Sequence, residues 1–293
     1  MPSSSADRSE PELMPAMNYS LDNPMRVALA GFGTVGQSVA RHLMGDGIPA
    51  IRLTAISARD LDKARQASAR LKPAPHVVPV ANLPAHADVV VECAPAAAFR
   101  EIAEPALMAG KTLVAVSPSA LASQPDLIDL AQAHGGRIQI ATGALPGLDT
   151  VRGARENGIK SVKLVAHFRP DRLARSDYVI AHGFNFSTPP EAPVLIFSGT
   201  AREATTTFPR HLNVAAALAL AGTGLDETLV DLWVDPDSIG TTLRIKLDSD
   251  VIKLDLAAWN QPSGGEKGGT SKIVAPSILA ALRAMVSPLR VGS

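Results

Sequence analysis

The chain has a single cysteine, Cys93, in 293 residues. No internal disulfide can form, which fits a reducing compartment and is read as cytoplasmic. Charge of one sign is not in excess either. Lys plus Arg and Asp plus Glu each number 28, so the formal net charge is zero. That balance points away from a nucleic-acid partner and from an anionic membrane surface. No apolar run reaches the length of a transmembrane helix. There are no internal repeats, and the seven histidines and one cysteine show no metal-ligand spacing, so no metal is expected. Residues 1–24 lack the basic start and apolar core of a signal peptide. They are Pro- and Ser-rich and read as a flexible leader, with the fold starting near Met25. A chain of this length buries roughly three quarters of its unfolded surface, so neither disulfide nor metal is needed to fold it.

What is present is organised around MRVALAGFGTVGQSVARHL, residues 25–43. An apolar run of strand length, 27–30, meets Gly31, Gly33 and Gly36 in G-x-G-x-x-G spacing. Val35, Val39 and Leu43 then fall four apart, on one face of a helix. Each glycine has its own task in a strand–turn–helix that binds a dinucleotide. Gly31 makes the turn, Gly33 admits the pyrophosphate to the backbone, and Gly36 lets helix and strand pack closely. The helix N-terminus offers unpaired N–H groups to the phosphates. Phe32, Thr34 and Val35 complete the cofactor-binding turn, and Ala94-Pro95, at the end of a later strand, joins it.

Strands are predicted over 50–56, 77–80, 88–93, 112–116 and 138–141, alternating with helices over 60–71, 99–109 and 125–134. This grammar predicts a doubly wound parallel sheet, a Rossmann domain over 25–141. After residue 141 the pattern changes. Strands at 161–168, 194–198, 229–234, 242–247 and 251–256, with helices at 201–208 and 213–221, predict a second α+β domain over 142–272. Its sheet is expected to be mostly antiparallel, with consecutive strands joined by short turns. The last segment, 273–293, carries an apolar helix expected to return to the first domain.

TGALPGLD (142–149), SGTAREA (198–204), FPRHLNVAAALALAG (208–222) and VDP (234–236) occur in that order behind GFGTVG (31–36). Together they make the chain resemble the L-aspartate dehydrogenase family, from Met25 to about Met285. The resemblance implies hydride transfer between a nicotinamide and aspartate or iminoaspartate. Oxaloacetate and ammonia, or the quinolinate branch of NAD synthesis, lie on the other side. It also implies that Ala144 and Asn213 hold the nicotinamide end and that Asp149 orients their loop. Three departures stand out. The family's Asn-x-His after its Asp-Pro falls at Thr241 and Leu243. The first Asn of its N-x-N is His211. Its Asn-Pro-Lys-Thr-Ser becomes EKGGTS, 266–271.

The remaining candidates follow from chemistry. Ser57 and Arg59 end the second strand, where an acidic residue would bind a ribose 2′-hydroxyl, and they suit a 2′-phosphate. NADP is therefore favoured over NAD, with Asp60 or Asp62 on the ribose as the alternative. His211 is the candidate proton carrier, since imidazole titrates near neutral pH. His167 and His182 stay open. Cys93 reads as an inert small hydrophobe. One of Arg169, Arg172 and Arg175 can clamp a substrate carboxylate. Lys267 and Lys272 flank a glycine-rich loop suited to closing over substrate. The expected protein is an NAD(P)-dependent dehydrogenase acting on an amino acid or 2-oxo acid, as a homodimer. The rivals are a related imine or oxo-acid reductase and a dinucleotide-binding protein without turnover.

Overall fold

A computed structural model describes residues 19–45, 47–263 and 270–292. Most of the expected leader, and Glu266 and Lys267 of the glycine-rich loop, lie outside the described residues. The first unit runs β1 (Met25–Ala30), α1 (Thr34–Met44), β2 (Ile51–Ser57), α2 (Leu61–Ser68), β3 (His76–Val77), α3 (Leu83–His86), β4 (Val89–Glu92), α4 (Phe99–Met108), β5 (Thr112–Ala115), α5 (Pro118–Ala122), α6 (Asp126–Ala133) and β6 (Arg137–Ile140). Its six strands lie in the order β3-β2-β1-β4-β5-β6, all parallel. The order reverses at β1/β4, which opens a crevice at the carboxyl ends of those strands. Local signals fix the helix ends. The Asp60 side chain accepts the Lys63 N–H and caps α2. Gly110, at φ +66°, follows the end of α4.

The second unit runs α7 (Leu148–Arg155), β7 (Ile159–Phe168), α8 (Pro170–Leu173), α9 (Asp177–Ala181), β8 (Val194–Thr200), α10 (Ala201–Thr207), α11 (Asn213–Ala221), β9 (Leu229–Val234), β10 (Thr241–Ser249) and β11 (Lys253–Asn260). A capping box starts α10, with Thr200 and Glu203 bonding each other's backbone N–H. The five strands lie in the order β11-β10-β7-β9-β8. This sheet is mostly antiparallel, as expected, but it is not a run of hairpins. β7 and β9 pair in parallel at its centre, and β10–β11 is a tight hairpin. The alternation of the strands places Val162, Leu164, Ala166 and Phe168 of β7 and Leu243, Ile245 and Leu247 of β10 on one face. They form one core with Leu212, Ala215 and Leu218 of the α11 region.

The last helix, α12 (Val274–Val286), carries Val274, Ala275, Ile278 and Leu282 as an apolar stripe. These residues join the core of the first sheet with Val39 and Leu43 of α1. The two units also meet where α5 packs along α11. No described helix is long and apolar enough to cross a membrane.

Candidate active site

The glycine turn separates into two structural glycines and one open one. Gly31 has φ +107°, and a Cβ there would lie 2.5 Å from the Cys93 carbonyl oxygen. A Cβ on Gly36 would lie 2.2 Å from the Gly31 carbonyl oxygen. Both positions are closed to side chains by the protein's own backbone. At Gly33 a Cβ meets nothing within 4 Å, so the clearance lies on the open side of the turn. Gly33 also stands at the N-cap of α1 without a side-chain cap, and the first turn carries no acidic residue. Backbone N–H groups and the positive helix end are thus left for an anion, which fits a pyrophosphate. Thr34 is exposed and Val35 half-buried beside it. Phe32 is turned into the core, and its carbonyl accepts from Gln37 Nε2, so its backbone alone faces the turn.

Arg59 is exposed just past β2. The acidic alternatives beside it are engaged elsewhere, Asp60 in capping α2 and Asp62 in an ion pair with Arg65. Among the described residues Arg59 has no acidic partner.

Sequence reading missed Glu92, although an acid ending the apolar run VVVE was the available signal. Its side chain is 1 % exposed. The carboxylate accepts the N–H groups of Val116 (2.9 Å) and Ser117 (2.8 Å) and the Ser117 hydroxyl (3.1 Å). Burial pushes its pKa up, opposed by these hydrogen bonds. The carboxylate ties the carboxyl end of β4 to the chain leaving β5. Two residues on, the Ser119 N–H donates to Asn213 Oδ1 at 3.3 Å, across to the second unit. A cleft of about 320 Å³, lined by Ala96, Ser119, Thr205 and Pro209 among others, opens beside this contact. Ala94 is half-buried and Pro95 exposed at the same strand end. Burial, then the Glu92 carboxylate, push the Cys93 thiol far up, which suits an inert side chain.

On the second sheet, one end gathers the other candidates. Thr241 stands in register with Phe168 and with Asn260. Asn260 Nδ2 donates to the Ala144 carbonyl at 3.1 Å, and Ser271 Oγ donates to Asn260 Oδ1 at 3.2 Å. Asn260 thus joins the 142–149 loop to the base of the glycine-rich loop. The His211 ring meets the Phe168 ring edge-on, with centroids 6.1 Å apart. A ring N–H of His211 donates to the Arg172 carbonyl. Its pKa is lowered, first by burial and then by the Arg172 and Arg210 guanidinium groups. Leu243 is 1 % exposed, inside the core with Phe168 and Leu212.

Other candidates lie apart from this cluster. Arg169 pairs with Asp171, and Arg175 and Asp149 are exposed. His182, just past the end of α9, stacks on Tyr178. His167 bonds Asp235 at 3.0 Å and stacks on Trp233, on the opposite face of the sheet from Leu243. The described residues contain no group of side chains fit to hold a metal.

An open glycine turn and an uncapped helix at the switch point of a parallel sheet, facing a second α+β unit, define the class of NAD(P)-dependent oxidoreductases. Family models agree. "Homoserine dehydrogenase, NAD binding domain" matches residues 31–141, and "Aspartate dehydrogenase, C-terminal" matches 149–285. L-aspartate dehydrogenase 3 of Bordetella bronchiseptica is 41 % identical over 268 residues, 91 % of this chain and 97 % of that one. L-aspartate dehydrogenase of Bradyrhizobium diazoefficiens is 41 % identical over 277 residues, 94 % and 97 % of the two chains. Aspartate dehydrogenase from Thermotoga maritima shares the fold, with TM-score 0.68 at 20 % identity over 92 % of this chain and 99 % of that one. The chain belongs to the L-aspartate dehydrogenase family.

Proposed function

We propose that this protein interconverts L-aspartate and iminoaspartate, with oxaloacetate and ammonia beyond the imine. The observation that carries the reading is the gathering of Ala144, Asn213, His211 and Asn260 at one sheet end, bonded through Ser119 to the dinucleotide-binding unit. The nicotinamide, when bound, supplies or accepts the hydride at the substrate's α-carbon. The loop at Ala144 and the Asn213 side chain hold its ring end, and both are pinned, by Asn260 and by Ser119. His211 takes a proton from the substrate nitrogen in the oxidative direction and returns it in the other. The Arg172 carbonyl fixes which ring nitrogen carries hydrogen and leaves the other bare for exchange. Holding the reactants in line contributes the rest.

A second reading, reduction of an imine from a different 2-oxo acid, is favoured by one observation. Leu243, which the resemblance puts at the family's histidine position, is apolar and 1 % exposed. One panel separates the readings: NADPH or NADH oxidation with ammonia and a series of 2-oxo acids. Turnover of oxaloacetate above the others supports aspartate. A different best acid supports the second reading, and dinucleotide binding without turnover makes the protein a non-catalytic binder.

NADP is the preferred cofactor on this reading, because Arg59 has no acidic partner among the described residues while Asp60 and Asp62 are engaged. Arg59→Ala is expected to weaken NADPH roughly tenfold or more and leave NADH nearly unchanged, as for loss of a charge-assisted hydrogen bond. Titration calorimetry with both cofactors checks it, and equal losses would make Arg59 a surface residue.

The open face of the second sheet is proposed to pair with a second copy. The registers line up Trp259, Thr242, His167, Trp233 and Leu195 as one row across all five strands. Trp259 is 73 % exposed and Leu195 42 %, apolar side chains at the two edges of the row that a two-fold contact would cover. Light scattering is expected to give a dimer mass that Trp259→Lys reduces to the monomer. A monomeric wild-type mass at micromolar concentration would remove the proposal.

A further inference from the structure

Glu92 is a buried carboxylate for which the hydride transfer has no use. It ends β4 behind Val89, Val90 and Val91, and all four side chains are buried. Taking a carboxylate out of water is costly unless donors meet it. Three do, and all come from one short segment: the Val116 N–H at 2.9 Å, the Ser117 N–H at 2.8 Å and the Ser117 hydroxyl at 3.1 Å. None of these is a cation, so the carboxylate acts as an acceptor that fixes backbone and not as half of an ion pair. Ser117 is also the residue from which α5 starts. Its carbonyl accepts the Ala120 N–H at 3.0 Å. Its side chain is turned to Glu92 and leaves the helix without a side-chain cap. A helix of five residues does not hold itself in water. The place of α5 is therefore set from outside, by Glu92 at its start and by α11 along its side. Two residues on from Ser117, the Ser119 N–H donates to Asn213 Oδ1 at 3.3 Å. The bonds thus run from the end of β4, through α5, to the residue that opens α11 in the second unit. The glycine turn has a tie of its own, since the Cys93 N–H donates to the Ala30 carbonyl at 2.7 Å.

We propose that Glu92 is a positioning residue for the nicotinamide end of the dinucleotide, acting through Ser117, α5 and Ser119 on Asn213. The proposal rests on the placing of the nicotinamide at Asn213. An asparagine side chain has an accepting oxygen and a donating NH2 group. With Oδ1 held by Ser119, the NH2 group keeps one direction and is left as the donor for a ligand. Without the carboxylate, the start of α5 loses its anchor, Ser119 draws away from Asn213, and the amide is free to turn. The pyrophosphate end is not affected, because the Cys93–Ala30 bond holds the strand beside the glycine turn without Glu92.

The test is a comparison of binding and needs no turnover. Each variant is titrated with NADPH and with 2′-phospho-ADP-ribose, the same molecule without the nicotinamide. Glu92→Met keeps the length of the side chain and removes both acceptor oxygens. Its NADPH affinity is expected to fall about threefold to tenfold, what one hydrogen bond contributes, with the fragment's affinity unchanged. Glu92→Gln keeps an acceptor for the two N–H groups, and its amide can donate to the Ser117 hydroxyl, so it is expected to bind NADPH as wild type does. Asn213→Ala is expected to show the same selective loss, and adding Glu92→Met to it should cost nothing more, because the two act in one chain. Equal losses for NADPH and the fragment would make Glu92 part of the general scaffold and overturn the proposal. So would a loss in Glu92→Gln as large as in Glu92→Met, or additive losses in the double variant. Should Glu92→Met not fold, Glu92→Asp takes its place. It draws the acceptors back by one methylene, and NADPH binding as tight as wild type would overturn the proposal. If Asn213→Ala shows no selective loss, the nicotinamide is not held there and that reading fails. A selective loss in Glu92→Met would then overturn only the route through Asn213, and none would overturn both.

Discussion

Gly33→Val is expected to give a folded protein that binds NADPH and NADH at least about tenfold more weakly, about 1.4 kcal/mol. The three glycines of the turn look alike in sequence and differ in what surrounds them. A side chain at Gly31 or Gly36 would run into backbone oxygen at 2.5 or 2.2 Å. Substitution there strains the protein whether or not ligand is present, and at Gly31 the φ of +107° adds to the cost. At Gly33 the space is empty of protein. A Cβ there meets nothing within 4 Å, and a branched side chain occupies the approach to the free N–H groups of α1. Cofactor affinity therefore falls while the melting transition stays in place, whereas Gly36→Val is expected to lower the melting temperature itself. Calorimetric titration and thermal unfolding of both variants separate the roles. Unchanged affinity in Gly33→Val would remove the basis for placing the pyrophosphate at this turn.

The same contrast explains how much of the molecule was legible from its sequence. The parallel sheet was legible because each of its elements is specified locally: apolar runs for the strands, Asp60 as a cap, Gly110 as a stop. The helix α5 was not, because SPSALA continues the apolar run of β5 and Pro118 reads as a break. Its reason for folding is the contact with α11, far along the chain. The parallel pairing of β7 with β9 was hidden for a related reason. Alternation tells which face of a strand is buried and says nothing about its neighbour. At the candidate site, Asn213 and Ala144 were named through a resemblance, whereas Glu92 and Asn260 were not named. Each of those two acts by bonding a segment distant in sequence, Ser117 in one case and Ala144 in the other. Arg172 was one of three indistinguishable arginines until the fold brought it to His211 and engaged Arg169 with Asp171.

The largest loss is expected from His211→Asn, about 10²–10⁴ in turnover, the usual contribution of general acid–base catalysis. Forming or reducing an imine requires a group that gives and takes a proton near neutral pH. Leu243 has no such group, and Thr241 has a hydroxyl whose pKa is far too high to act alone. His211 lies two residues before Asn213, meets Phe168 edge-on, and bonds the Arg172 carbonyl through its ring. Burial and two neighbouring guanidinium groups lower its pKa from the ordinary histidine value. The sign follows. The neutral, proton-accepting form dominates above that lowered pKa, so oxidation of aspartate should hold its rate to a more acid pH than an ordinary histidine allows. The rate then falls as the imidazole is protonated. In His211→Asn this acid limb should disappear along with most of the rate. Asparagine is also the residue the resemblance implies at this position and can still donate to the Arg172 carbonyl, so the local fold should persist. Loss of activity with unchanged dinucleotide affinity then reports chemistry. Full activity on oxaloacetate and ammonia in this variant would make His211 a structural residue. The enzyme would then act on a preformed imine without a base from this side chain.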